Sequence, residues 1–151
     1  MSLLNIPHQT QIEPSWCLPP CAAMVCAYWG QPLYQGDIAR WLRTTGTGTP
    51  ARNIGRLREH GFNVAYLEGS FELLVNSLGQ GIPCIVFIRT GELPYWSVDT
   101  AHAVVLAGSD GEQAYVPAFA DAPKTTTVEA FMLAWSFFDY TVATLTPITS
   151  Q

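Results

Sequence analysis

Gln11-Ile12-Glu13-Pro14-Ser15-Trp16-Cys17-Leu18-Pro19-Pro20-Cys21-Ala22-Ala23-Met24-Val25 is the stretch that decides how this chain is read. Its second half is apolar and predicts a helix from about Leu18 to Trp29. Pro19 and Pro20 fall in the first turn, where a missing N–H costs nothing. Met24, Val25 and Tyr28 give a core-facing stripe, and Gly30 ends the helix. Cys17 therefore stands where the helix begins. A helix N-terminus carries partial positive charge, which favours a thiolate. Far downstream, His102-Ala103-Val104-Val105-Leu106-Ala107-Gly108 is a nearly continuous apolar run headed by an imidazole. A thiol nucleophile needs a base, an oxyanion donor and a setting that favours the thiolate. His102 is the candidate base, and the Gln11 side-chain amide, six residues ahead of Cys17, is the candidate donor.

Around this pair the chain divides into a helical half and a strand half. A second helix is expected over Asp37 to Arg43, with Ile38, Trp41 and Leu42 on one face. Thr45-Gly46-Thr47-Gly48 reads as a loop. Thr49 is the expected cap of a third helix, with Pro50 at its first position, Ile54 and Leu57 inward and Gly61 at its end. Phe62 to Leu67 predicts a strand. Ser70 caps a fourth helix through Leu78, with Glu72 in its first turn. Strands are then expected over Ile82–Arg89 and His102–Ala107. Gly108-Ser109-Asp110-Gly111 turns the second of these into Gln113–Val116 as a hairpin. Thr127 caps a last helix carrying Phe131, Met132 and Trp135, and Phe138 to Leu145 closes as a strand. Helices first and mostly antiparallel strands after them mean an α+β fold. Cys17 and His102 are expected to face each other across the cleft between the halves.

The chain has 151 residues, enough for one domain spanning 1–151 with a full core. Apolar residues make up 48% and charged residues 13%, so the chain can fold without covalent staples. A net charge of −5 argues against a nucleic-acid partner, which would need a basic stripe. No apolar run approaches the roughly 18 residues of a membrane span, and no signal peptide is visible, so the expected location is the cytoplasm, the alternative being a domain of a larger or exported protein. Cys17 and Cys21, four apart on a helix, point in parallel, a poor geometry for a disulfide. The cysteine spacing does not make a zinc set. Cys21, Cys26 and Cys84 read as small core residues. His8 reads as a surface residue, and His60 as a surface group favoured by the end of its helix. The Arg52, Arg56 and Arg58 group reads as a solvated face. Tyr95 and Trp96 are equally readable as a substrate wall or as a loop packed on the core.

The order Gln11, Cys17, His102 resembles the papain-like bacteriocin-processing peptidases, which cut leader peptides after Gly-Gly, and the stand-alone members of that group more closely. The Ala- and Met-rich helix after Cys17, Tyr28-Trp29-Gly30 at its end, Arg89-Thr90-Gly91-Glu92-Leu93-Pro94-Tyr95-Trp96 and Pro117-Ala118-Phe119 carry the same resemblance. It implies a papain-like fold, with a helical half packed on a mostly antiparallel sheet. It also implies peptide-bond hydrolysis through an acyl-thioester on Cys17, with no metal and no organic cofactor. Two positions depart from the family pattern. Leu18 stands where the family commonly has Gly. Relatives read Asn-Asp-Pro-Ala-Phe after the hairpin strand, and that Asp orients the histidine; here Tyr115-Val116-Pro117-Ala118-Phe119 leaves it out. Asp121 is the nearby candidate for a substitute. The expected partner is a peptide or protein substrate. Other readings of the same residues are an effector domain held by an immunity protein, a deamidase or acyl transferase, and a peptide-binding module without activity.

Overall fold

A computed structural model describes residues 3–9, 12–13, 16–89, 101–109, 113–116 and 124–148. Helix α1 spans Leu18–Tyr28 and α2 spans Gln35–Trp41. A 3-10 helix, Ala51–His60, leads into strand β1, Phe62–Glu68. Helix α3, Phe71–Gly79, precedes β2, Cys84–Arg89, and β3, Ala101–Leu106. Then come β4, Gly108–Ser109, β5, Gln113–Val116, and β6, Lys124–Thr127. Helix α4, Val128–Ser136, and β7, Thr141–Pro147, finish the chain.

One sheet has the order β1-β7-β2-β3 and the other β4-β5-β6, with every pairing antiparallel. The chain passes from the first sheet to the second across Ala107 alone. The expected hairpin is present, but Gly108 belongs to its strand, paired with Tyr115, rather than to its turn. The short strand β6 was not expected from the sequence. Its polar run Lys124-Thr125-Thr126-Thr127 lacks the apolar alternation that marks a half-buried strand.

At β2 and β3 the four-stranded sheet is buried on both faces, which is why those strands read as continuous apolar runs. Alternation divides their side chains between two cores. Ile85, Phe87, Ala103 and Val105 pack with α1 and α2. Cys84, Val86, Ile88, Val104 and Leu106 pack with Phe131 and Trp135 of α4 and Leu74 of α3. Helix α1 does not carry the single stripe read from its sequence. Every residue from Leu18 to Cys26 is buried, as expected of a helix that is apolar all round and enclosed by other elements.

Several element ends have identifiable local causes. Gly30, at φ +77°, closes α1 in a Schellman turn, with the Gln31 N–H on the Cys26 carbonyl and the Gly30 N–H on Ala27. The same turn ends α2 at Trp41, not at Arg43. Arg43 takes the left-handed position at φ 58°, while Thr44 donates to Ala39 and Arg43 to Arg40. Ser70 and Thr127 cap α3 and α4 as expected, accepting from the Leu73 and Ala130 N–H groups. Thr49 does not cap the next helix; its hydroxyl bonds Thr44, and Pro50 occupies the cap position. That helix is 3-10, unusually long at ten residues. Ile54 and Leu57 are three apart, so a three-residue turn brings both inward, fully buried. The last strand begins at Thr141 rather than Phe138, because Asp139 and Tyr140 adopt left-handed backbone at φ 53° and 57°.

Arg43 occupies a left-handed position that costs an L-residue about 1–2 kcal/mol. Arg43→Gly relieves that cost and loses part of it to the greater freedom of unfolded glycine. The variant is expected to gain about 0.5–1 kcal/mol in urea unfolding; a loss of stability would show that the arginine side chain holds this turn.

Candidate functional site

Cys17 is the N-cap residue of α1 and is half-buried, whereas Cys21, Cys26 and Cys84 are buried. All four thiols are free. With Pro19 and Pro20 in the first turn, only Cys17 and Leu18 keep N–H groups before Cys21, and the first N–H groups of a helix have no partner within it. No acidic side chain stands in that turn to offset the helix dipole. Leu18, at the family's usual glycine position, is an anchor of the first core and is 1% exposed.

His102 lies near the start of β3, paired with Ile88 of β2. It is half-buried and has an interaction partner. Burial lowers its pKa below the ordinary 6.5, favouring the neutral imidazole that can accept a proton.

Three long-range hydrogen bonds register α1 on the sheet. The Cys21 thiol donates to the Ala103 carbonyl at 3.3 Å. At the other end of α1, the Tyr28 hydroxyl donates to Gly81 and the Trp29 indole N–H to Leu145, both at 2.7 Å. Gly81 precedes β2, whose Cys84 pairs with Leu106, so α1 runs along β3 in the same direction. Cys17 is one turn before Cys21, about 6 Å along the axis, and His102 is one residue before Ala103. Cys17 and the backbone of His102 are thus at the same end of the contact. The pleat alone does not turn the ring toward the sulfur. Alternation puts Ala103 on the α1 face and His102, like Ile88, on the other.

The two other candidates, Gln11 and Asp121, lie outside the described residues, as do Tyr95, Trp96 and the Pro117-Ala118-Phe119 segment. His8 is exposed, as expected. His60 is not a free surface group: its ring stacks on Trp41 at 3.7 Å between centroids, 11° from parallel. Arg52 and Arg58 are exposed, while Arg56 is half-buried. Arg58 also bonds the Val64 carbonyl at 2.8 Å. Among the described residues no three His, Cys, Asp or Glu side chains are grouped to hold a metal ion, and no helix is long and apolar enough to cross a membrane.

The sequence profile of the peptidase C39-like family matches residues 3–140. The chain belongs to that family. Comparison with curated protein sequences gave no match. Among solved structures, a C39-like peptidase from Bacillus anthracis superposes with a TM-score of 0.77 at 17% identity, covering 98% of each chain. A double glycine motif protease from an AMS/PCAT transporter, solved with the leader peptide, gives 0.75 at 21% identity over 97% of this chain and 94% of that one. The peptidase domain of Streptococcus ComA, a bifunctional ABC transporter involved in quorum sensing, gives 0.72 at 18%, over 96% and 99%. The fold is that of the C39 peptidases, and family and fold together support a cysteine peptidase function.

Within this C39-like chain the thiols differ sharply in setting. Burial pushes Cys26 and Cys84 up to about 12, the latter despite a hydrogen bond with Ser77 that acts the other way. Cys21 is raised well above the ordinary 9.0 by burial, with the nearby Cys17 charge adding to it. Since thiolate is the reactive form, these three stay inert near neutral pH. Brief iodoacetamide treatment at pH 7.5 is expected to alkylate one thiol of the native chain, mapping to Cys17, and all four after denaturation. Early label on Cys21, Cys26 or Cys84 would contradict this ordering.

Proposed function

We propose that this chain hydrolyses a peptide bond through a thioester on Cys17, with His102 as the base and the Gln11 amide as an oxyanion donor. The observation that carries the proposal is the registration of α1 along β3. Cys17, the partly exposed cysteine, and the backbone of His102 lie at one end of the same helix–strand contact, which supports the reading. The Cys17 N–H, a first-turn donor, is suited to act as the second oxyanion donor beside Gln11. In the proposed reaction His102 takes the Cys17 proton, and the thiolate adds to the scissile carbonyl. The oxyanion draws on the two N–H groups. Collapse of the intermediate expels the amine, which receives the proton from His102. Water then attacks the thioester as His102 accepts its proton, and the second intermediate breaks the C–S bond, releasing the acid and Cys17, to whose sulfur His102 returns the proton.

The substrate class we propose is an extended peptide with small residues at the cleavage point. The double glycine motif protease captured with a leader peptide supports this choice by analogy. No observation favours an effector held by an immunity protein. The omission of Asp before Pro117 keeps a second reading alive, that of a peptide-binding module with little turnover.

A fluorogenic peptide ending in Gly-Gly-7-amido-4-methylcoumarin tests the proposal. Cys17→Ala is expected to abolish release of the fluorophore. Gln11→Ala is expected to lower kcat by about 10²–10³, with KM little changed. Turnover that survives in Cys17→Ala refutes the nucleophile. A rise in KM alone would make Gln11 a binding residue. An uncut peptide, together with sluggish alkylation of Cys17, favours the binding module.

Coupling between the two groups is readable from the His102 titration. Burial lowers its pKa, so in Cys17→Ala the ring is expected to titrate below 6.5 by NMR. With the thiolate present, the imidazolium is stabilised and the midpoint should rise. Equal midpoints in the two proteins would mean that His102 does not sense Cys17.

A further inference from the structure

Gln35, the first residue of α2, is only 5% exposed. A buried side-chain amide must be satisfied by hydrogen bonds. This one reaches back to the N-terminal segment. Its Oε1 accepts from the Ile12 backbone N–H at 3.3 Å, and its Nε2 donates to the Gln9 side-chain oxygen at 3.0 Å. In sequence, Gln9 and Ile12 stand on either side of Gln11. The Ile12 side chain is 49% exposed and gives the segment little anchorage of its own. Gln35 is in turn held by a rigid support. Ile38 and Leu42 are fully buried in the same core as α1. The segment on both sides of Gln11 is thereby tied, through one side chain, to the helix pair that begins with Cys17.

We infer that Gln35 is a positioning residue that keeps the Gln11 segment in register with the Cys17 thiol. The inference rests on the proposed role of Gln11. An oxyanion donor acts over a narrow range, about 2.7–3.1 Å from the developing charge. A displacement of about 1 Å can cost about 10²-fold in rate. Two hydrogen bonds to the flanks of Gln11 supply that restraint without Gln35 touching the substrate. Its effect belongs in kcat, because the oxyanion forms after binding.

The experiment combines hydrogen exchange with kinetics on the Gly-Gly-7-amido-4-methylcoumarin peptide. Gln35→Leu keeps the bulk and removes both bonds. Exchange in a peptide fragment covering residues 4–16 is expected to quicken by about tenfold, with α1 and the sheet unchanged. The kcat is expected to fall by about 10–100-fold with KM within about twofold. Gln35→Glu should recover most of the rate, since a carboxylate accepts from the Ile12 N–H and from a rotated Gln9 amide. In a Gln11→Ala background Gln35→Leu should cost nothing further, because the two act through one donor. Should Gln35→Leu fail to fold, Gln9→Leu removes one of the two bonds and should show part of the same loss. Unchanged exchange overturns the inference, as does a rate loss that multiplies with that of Gln11→Ala. If Gln11→Ala itself keeps the wild-type kcat, the oxyanion reading falls and this inference falls with it. If Gln11→Ala is slow and Gln35→Leu is not, the inference alone falls.

Discussion

Burial of α1 on every side is the constraint on which the arrangement depends. Leu18 through Cys26 present no solvent-facing stripe, so the helix is confined between α2 and the four-stranded sheet. Apolar packing is non-directional and would tolerate some sliding. The three hydrogen bonds from Cys21, Tyr28 and Trp29 to carbonyls of the strand half remove that freedom. An unmade bond at such a site leaves a polar group without a partner, which costs about 1–3 kcal/mol. Register along the helix axis is therefore well determined, and with it the end of the sheet at which Cys17 lies.

Chemistry follows from how burial is distributed around this contact. Four cysteines share one chain, yet three are sealed in apolar surroundings that favour the neutral thiol. Cys17 is only half-buried, because a helix start lies at the margin of the core. The same margin leaves His102 half-buried, its ring biased toward the neutral form. A neutral imidazole is a competent base, while a standing thiolate–imidazolium pair has to overcome the desolvation of the ring. That balance suits the proposed cysteine–histidine pair, because a thiol is acidic enough to need less help than a hydroxyl.

Much of the fold was legible along the chain. The start of α1 at Leu18, the caps Ser70 and Thr127, and the runs of β2 and β3 all have local signatures that act within a turn or a strand. The misreadings have a common origin. Arg43, Asp139 and Tyr140 take left-handed backbone with no glycine to announce it, so α2 was read too long and β7 was started too early. The 3-10 helix escaped notice because Ile54 and Leu57 fit a three-residue turn as well as an α-helical one. Of the candidate site, the identities of Cys17, His102 and Gln11 were readable as residue types in a known order. The support from Gln35 was not, since a glutamine 24 residues from Gln11 looks like any other polar residue until it is seen to be buried.

By itself the sequence determined the place of Cys17 at a helix start, the α+β order of elements and the likeness to leader-processing peptidases. These rest on short-range chemistry: proline in a first turn, hydroxyl caps, β-branched runs. Only the tertiary structure decided that α1 runs along β3, so that Cys17 and His102 share one end. Only it joined Gln35 to the flanks of Gln11. Contacts across 23, 53, 82 and 116 residues depend on which faces are buried together, and no local pattern in the chain encodes that pairing.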